Sequence, residues 1–122
     1  MKIYYVTGNE LKIKLANKIF NDLNVEVEQV NIDTPEIQSL SCEEVSKYSA
    51  KWACEKLGIA VLKNDSGLFV NALKGFPGVY THFVDDTLGE DGLLKLMEGI
   101  EDRTAYFKEA LAYCEPGKEP VV

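Results

Sequence analysis

The stretch Lys63-Asn64-Asp65-Ser66-Gly67-Leu68-Phe69-Val70-Asn71-Ala72-Leu73-Lys74-Gly75-Phe76-Pro77-Gly78 decides how the rest of the chain is read. It begins where the apolar run Ile59-Ala60-Val61-Leu62 stops, and that run reads as a buried strand. A buried strand that ends in Asn64-Asp65-Ser66-Gly67 delivers a carboxylate to the rim of a sheet, where ligands of open α/β sheets bind. Gly67 lets the backbone pass close to a ligand or take a positive φ. Gly75-Phe76-Pro77-Gly78 is turn chemistry with one bulky apolar residue held inside it. Asp-Ser-Gly is also ordinary turn composition, so its neighbours must decide whether the aspartate does more than turn the chain.

Upstream, Ile3-Tyr4-Tyr5-Val6 is a short β-branched and aromatic run, which predicts a central strand. Thr7-Gly8-Asn9 follows, then a helix whose Leu15, Ile19 and Leu23, with Ala16 and Phe20 beside them, predict one apolar stripe. A strand, a glycine turn and a helix in that order point free backbone N–H groups at whatever lies above the sheet, and Lys12 is one turn into the helix. A plain strand-to-helix turn with a surface lysine fits the same residues. Val25-Glu26-Val27-Glu28 alternates, which predicts a half-exposed strand, antiparallel or at an edge. Asn31 to Leu40 has no period and carries Asp33-Thr34-Pro35-Glu36, where Pro35 fixes the backbone just before a carboxylate.

A second helix opens at Ser41-Cys42-Glu43-Glu44, a capping-box pattern, and stops at Gly58. Val45, Tyr48, Trp52 and Ala53 mark its expected buried face. Downstream, Val79 to Val84 favours a short helix, and Thr87-Leu88-Gly89-Glu90 offers another capping box for a helix ending at Gly99. Arg103 to Cys114 suits a helix by Ala105, Glu109 and Ala112, and a strand by Tyr106, Phe107 and Tyr113. Val121-Val122 reads as the first residues of a partner strand after the turn Glu115 to Pro120.

At 122 residues the chain is a single domain, 1–122, able to bury about two-thirds of its unfolded surface. The net charge of −7 argues against a nucleic-acid surface, which needs a basic stripe. It leaves room for a small polyanion held by lysines and a metal. The odd number of cysteines, Cys42, Cys54 and Cys114, with no Cys-x-x-Cys, reads as reduced thiols of a cytoplasmic protein. No apolar run approaches membrane-spanning length. His82 is the only histidine, so a surface or satisfied role is expected rather than a metal site of its own kind.

Five motifs occur in order: Thr7-Gly8-Asn9-x-x-Lys12, Asp33-Thr34-Pro35-Glu36-Ile37-Gln38, Asn64-Asp65-Ser66-Gly67-Leu68, Gly75-Phe76-Pro77-Gly78 and Thr87-Leu88-Gly89-x-x-Gly92-Leu93-Leu94. Together they resemble the inosine/xanthosine triphosphate pyrophosphatase (Ham1/RdgB) family, closest to its archaeal-type members. The resemblance implies an α/β fold, a twisted mixed β-sheet flanked by helices, as a truncated ITPase-like (Maf/Ham1) fold. The family pattern continues past Val122 with Phe-Gly-Tyr/Trp-Asp-Pro and Ser-His-Arg segments that read the purine base, so any activity of this chain is expected to be weak, unselective or dependent on a second chain.

By that resemblance Asp65 is the catalytic carboxylate and a Mg²⁺ ligand, and Glu36 is a second Mg²⁺ ligand. Thr7, Gly8, Asn9, Lys12 and Lys51, with Ser66 and Gly67 beside the catalytic acid, match phosphate-binding positions. The implied reaction hydrolyses noncanonical purine nucleoside triphosphates (ITP, XTP, dITP) to the monophosphate and pyrophosphate; a cytoplasmic setting and a homodimer are expected as well. A catalytically impaired nucleotide-binding module and a self-associating family member are the alternatives. Two positions depart from the family: Asn64 replaces a usual acid, and Leu15 replaces a usual glutamate. On this basis Asn64→Asp is expected to tighten Mg²⁺ and raise any rate.

Overall fold

The strand β3 (Val61–Val70) has two different partners along one edge. The computed structural model describes all residues, Met1–Val122. β1 (Lys2–Val6) pairs with β3 in parallel at Tyr4↔Val61 and Tyr5↔Leu62 and then leaves it. The two-residue β4 (Pro77–Gly78) joins the same edge antiparallel, at Leu68↔Gly78 and Phe69↔Pro77. Between these contacts Lys63 to Gly67 lack a strand partner on that edge, so the sheet has a notch there. The other edge of β3 is paired throughout with antiparallel β5 (Ala105–Cys114). The sheet order is β2-β1-β3-β4, with β5 on β3, and β2 (Glu26–Val30) forms a parallel edge beside β1.

Asp65 therefore lies in mid-strand and not at a strand end, which corrects the expected boundary at Leu62. Its rim position comes from the early departure of β1. Arg103 to Cys114 resolves as strand from Ala105, and Val121 forms an isolated antiparallel bridge with Tyr113.

Helix α2 (Cys42–Leu57) covers one face of the sheet: Ala50, Ala53 and Cys54 pack on Val6, Val61, Ala112 and Cys114. Ser41 caps it by accepting from the Glu44 amide at 3.2 Å, and Gly58 ends it at φ 68°. The return half of the capping box runs through Ser39, whose hydroxyl donates to Glu44 at 2.6 Å and accepts from the Ser41 amide at 3.1 Å. Tyr48, expected on the buried face, is exposed, while Ser46 and Ser49 are buried. The Ser49 hydroxyl donates to the Pro35 carbonyl at 2.8 Å and ties the loop carrying Glu36 to this helix.

Helix α1 (Glu10–Phe20) covers the opposite face, with Ile13, Ala16 and Phe20 against Tyr5, Val27 and Leu62. The stripe expected from Leu15, Ile19 and Leu23 is wrong: these residues are 52%, 70% and 66% exposed. Asn17 sets the rotation, since its carboxamide donates to the Val27 carbonyl at 2.8 Å and accepts from the Val27 amide at 2.7 Å. That bridge turns Ile13, Ala16 and Phe20 inward and leaves Leu15 outward.

Beyond β4, α3 (Thr81–Thr87) and α4 (Gly89–Leu96) follow closely. The capping box expected at Thr87 does not form, because its hydroxyl donates backwards to the Phe83 carbonyl at 2.7 Å. His82 is on the surface, 3.3 Å from Asp86. The Phe76–Pro77 peptide is cis, and Phe76 is partly exposed rather than held inside its turn.

Candidate functional site: a charged notch beside β3

Alternation along β3 sorts the functional side chains onto two faces. Lys63 and Asp65 share the α2 face with Val61; Asn64 and Ser66 share the α1 face with Leu62. The notch lies between those faces, where β1 has ended and the chain turns through Thr7-Gly8-Asn9 into α1.

On the α2 face, Asp65 is held in an environment poor in water. Its Oδ2 is buried and has no hydrogen-bond partner. Burial raises its pKa above the ordinary carboxylate value, the adjacent Cys42 thiol pulls it back, and the Glu36 charge raises it further. Lys63 and Lys12 draw it down, each more weakly than burial raises it. The Cys42 thiol itself is pushed up to about 11, first by burial and then by Asp65. Burial also lowers Lys63 below the usual lysine value; Glu36 and Asp65 oppose that shift and Lys12 adds to it. Two carboxylates and two ammonium groups thus influence one another across the notch.

The acids fit a hard divalent ion. Magnesium takes one or two protein carboxylates and completes its shell with water and substrate phosphates. Asp65 Oδ2 is an unsatisfied buried acceptor with Glu36 near it, and a cation would satisfy both. No group of three or more His, Cys, Asp or Glu side chains is gathered as a metal-binding set.

On the α1 face, Asn64 is the hub. Its Oδ1 accepts from the Tyr5 hydroxyl at 2.9 Å and the Lys12 ammonium at 3.3 Å. Its Nδ2 donates to Glu109 at 2.7 Å, and Glu109 lies opposite Ser66 on β5. Burial, with Glu109 nearby, pushes the Tyr5 hydroxyl up to about 12, so it remains a donor. The expected gain from Asn64→Asp is overturned here: residue 64 faces away from Asp65 and already meets a carboxylate.

The turn is partly satisfied from within. Asn9 caps α1, accepting from the Leu11 amide at 2.9 Å and the Lys12 amide at 3.4 Å, and its own amide donates to Thr7 Oγ1 at 3.1 Å. The Asn9, Leu11 and Lys12 amides expected to be free there are therefore engaged, the last two by the Asn9 side chain. Gly8 is exposed, with room for a Cβ at 3.4 Å from Asn31 Oδ1.

Of the sequence-predicted residues, the structure brings Thr7, Gly8, Asn9, Lys12, Glu36 and Asp65 around the notch. Lys51 is not among them. It lies nine positions along α2 from Cys42, about 13 Å of helix, and it pairs with Glu119 at 2.7 Å beside Cys54 and Cys114. The phosphate role expected for Lys51 is corrected accordingly. Ser66 is exposed on the opposite face from Asp65. Gly67 has no positive φ; its missing side chain makes room for the Gly78 carbonyl, not for a ligand. Sequence reasoning missed Lys63 and Glu109. A lysine inside a strand was the available signal for Lys63, whereas Glu109 needed the β3–β5 register. A cleft of about 590 Å³, lined by Phe69, Phe76, Tyr80 and Tyr106, lies past the notch around β4.

A mixed sheet with flanking helices, a strand-to-helix turn and a charged notch where parallel strands end defines an α/β domain with a candidate ligand site. The chain belongs to the Ham1 family, whose sequence profile matches residues 3–122. It is 49% identical to the dITP/XTP pyrophosphatase of Methanopyrus kandleri over 99% of this chain and 64% of that protein. It is 48% identical to the dITP/XTP pyrophosphatase of Methanosarcina acetivorans, over 99% of this chain and 66% of that one. The Ham1 protein of Staphylococcus aureus superposes with TM-score 0.82 at 27% identity, covering 99% of this chain and 67% of its own. A HAM1 protein from Coxiella burnetii, 23% identical, shares the fold at TM-score 0.84 over 99% of this chain and 68% of its own. The chain thus spans 64–66% of the length of those curated relatives.

Proposed function

We propose that this chain hydrolyses purine nucleoside triphosphates to the monophosphate and pyrophosphate at the notch beside β3, with Mg²⁺ as cofactor and inosine and xanthosine nucleotides preferred. The observation that carries this reading is the buried, unpartnered Asp65 Oδ2, with the Glu36 charge near it and the Lys63 and Lys12 ammonium groups at the same notch. A magnesium–polyphosphate complex would bring a cation to the acids and an anion to the lysines. The names of the archaeal relatives support the substrate class.

Asp65 and Glu36 would hold the metal. Bound Mg²⁺ would neutralise phosphate oxygens and lower the pKa of a coordinated water. Asp65 Oδ2 has a free lone pair to receive a water proton as the water oxygen bonds to phosphorus and the bond to the leaving pyrophosphate breaks. Lys12 and Lys63 hold the phosphate tail, and the Thr7-Gly8-Asn9 turn orients it. The setting we infer is the cytoplasm, in keeping with three free cysteines; no helix is long and apolar enough to cross a membrane.

The test mixes the purified chain with inosine, xanthosine and deoxyinosine triphosphates and Mg²⁺ and measures pyrophosphate. Lys12→Ala should raise KM about tenfold or more, as loss of a charge-assisted phosphate contact does. Triphosphate bound by calorimetry without any pyrophosphate release would leave a binding module and remove the enzyme.

One observation favours self-association as well. Phe107 and Leu111 share one face of β5 and are both exposed. Exposed apolar surface of that kind is where chains associate. Sedimentation should reveal a dimer or larger species at micromolar concentration; a monomer across the whole range would rule this out.

A further inference from the structure

We propose that Glu109 is a positioning residue of the anion site, acting through Asn64 to fix where the Lys12 ammonium rests. This rests on the reading of Lys12 as a phosphate ligand. Asn64 is 8% exposed, so each end of its amide needs a partner. Lys12 can only donate, and Glu109 as a carboxylate can only accept. With Glu109 at 2.7 Å from Nδ2, the amide has one orientation, with Oδ1 turned to Tyr5 and Lys12. Side chains from β1, α1, β3 and β5 are thereby joined in one chain of hydrogen bonds at the mouth of the Thr7–Asn9 turn.

The order of the groups matters as much as their number. A carboxylate directly on Lys12 would neutralise it, and an incoming phosphate would have to break an ion pair. An amide oxygen anchors the ammonium and leaves its charge available. Glu109 supplies the negative charge one residue further back, where it orients Asn64 without touching Lys12. Asn64 and Glu109 are thus one acid–amide unit. Glu109→Ala removes the acceptor that fixes the amide and frees Nδ2 to turn toward Lys12, whereas Glu109→Gln keeps an acceptor, its own side-chain carbonyl, opposite Asn64 Nδ2.

The experiment is a double-mutant cycle on the full chain, reading inorganic pyrophosphate affinity by calorimetry in EDTA at fixed pH and low salt. Circular dichroism melts establish that each variant is folded. Glu109→Ala should weaken pyrophosphate about tenfold relative to Glu109→Gln, which removes the same charge but keeps an acceptor, and in an Asn64→Ala background Glu109→Ala should add less than about threefold, a coupling typical of contacting groups. In a Lys12→Ala background the four affinities should converge. A loss from Glu109→Ala that persists undiminished in the Asn64→Ala background, or no difference between Glu109→Ala and Glu109→Gln, in folded proteins, overturns the proposal and leaves the site reading intact. Failure of the parent chain to bind pyrophosphate at all would sink both.

Discussion

Asp65→Asn should lower pyrophosphate release by about a thousandfold or more and at the same time make the protein more stable at neutral pH. The first effect follows from the reading of Asp65 as both metal ligand and proton acceptor, since removal of such a group commonly costs that much. The second follows from its surroundings. Oδ2 is buried without a partner, and burial holds the carboxyl above its ordinary value. The folded state therefore keeps the Asp65 proton longer than the unfolded chain does. Stability is lost as pH rises from about 4, the ordinary aspartate range, through the raised folded value, and the loss is complete above it. Asparagine has no charge to desolvate, so its melting temperature should diverge upward from the parent's across that window. Melts at several pH values in EDTA read this without any contribution from metal. A variant that melts below the parent at pH 7, or that still releases pyrophosphate at near-parental rates, contradicts the assignment.

The sequence made the local parts of this site legible and concealed the parts that depend on register. Thr7 to Lys12 is one turn and the start of one helix, so its geometry is set within six residues. Asp65 was legible from the apolar run before it. Glu109 was not, because it reaches Asn64 only through the pairing of β5 with β3, 45 residues apart in sequence. Lys51 failed for a related reason. Helical spacing gives the face of α2 but not the end of the sheet that each turn overlies, and Lys51 overlies the Cys114 end. In α1 two apolar stripes share one helix, one through Ile13, Ala16 and Phe20 and one through Leu15 and Ile19. Periodicity alone cannot rank them; the Asn17 bridge to Val27 does. Where a polar side chain sets the rotation, an apolar pattern is an incomplete guide.

Gly67→Ala should be the most damaging single-methyl change in the chain. Around the positive-φ glycines Gly58, Gly89, Gly99 and Gly117 an added Cβ would meet open space, so only backbone conformation resists substitution there. Gly67 is different: its φ is ordinary, and a Cβ would overlap the carbonyl of Gly78, which is backbone and cannot rotate aside. That carbonyl is also committed, since it accepts from the Thr81 hydroxyl at 2.6 Å while Thr81 Oγ1 accepts from the Leu68 amide at 2.8 Å. Relief of the clash requires β4 to move off β3, breaking the pairing at Leu68 and Phe69 and the Thr81 bridge together. Overpacking of this kind costs about 2–4 kcal/mol, or a fall in Tm of roughly 10 °C for a domain of this size. β4 also closes one end of the notch, so pyrophosphate affinity should fall in the same variant even below its melting temperature. Gly8→Ala is the control for folding, because a Cβ there has 3.4 Å to Asn31 and no backbone in its way. If Gly67→Ala melts with the parent, then β4 is not seated against β3 at this point, and the notch has no wall on that side.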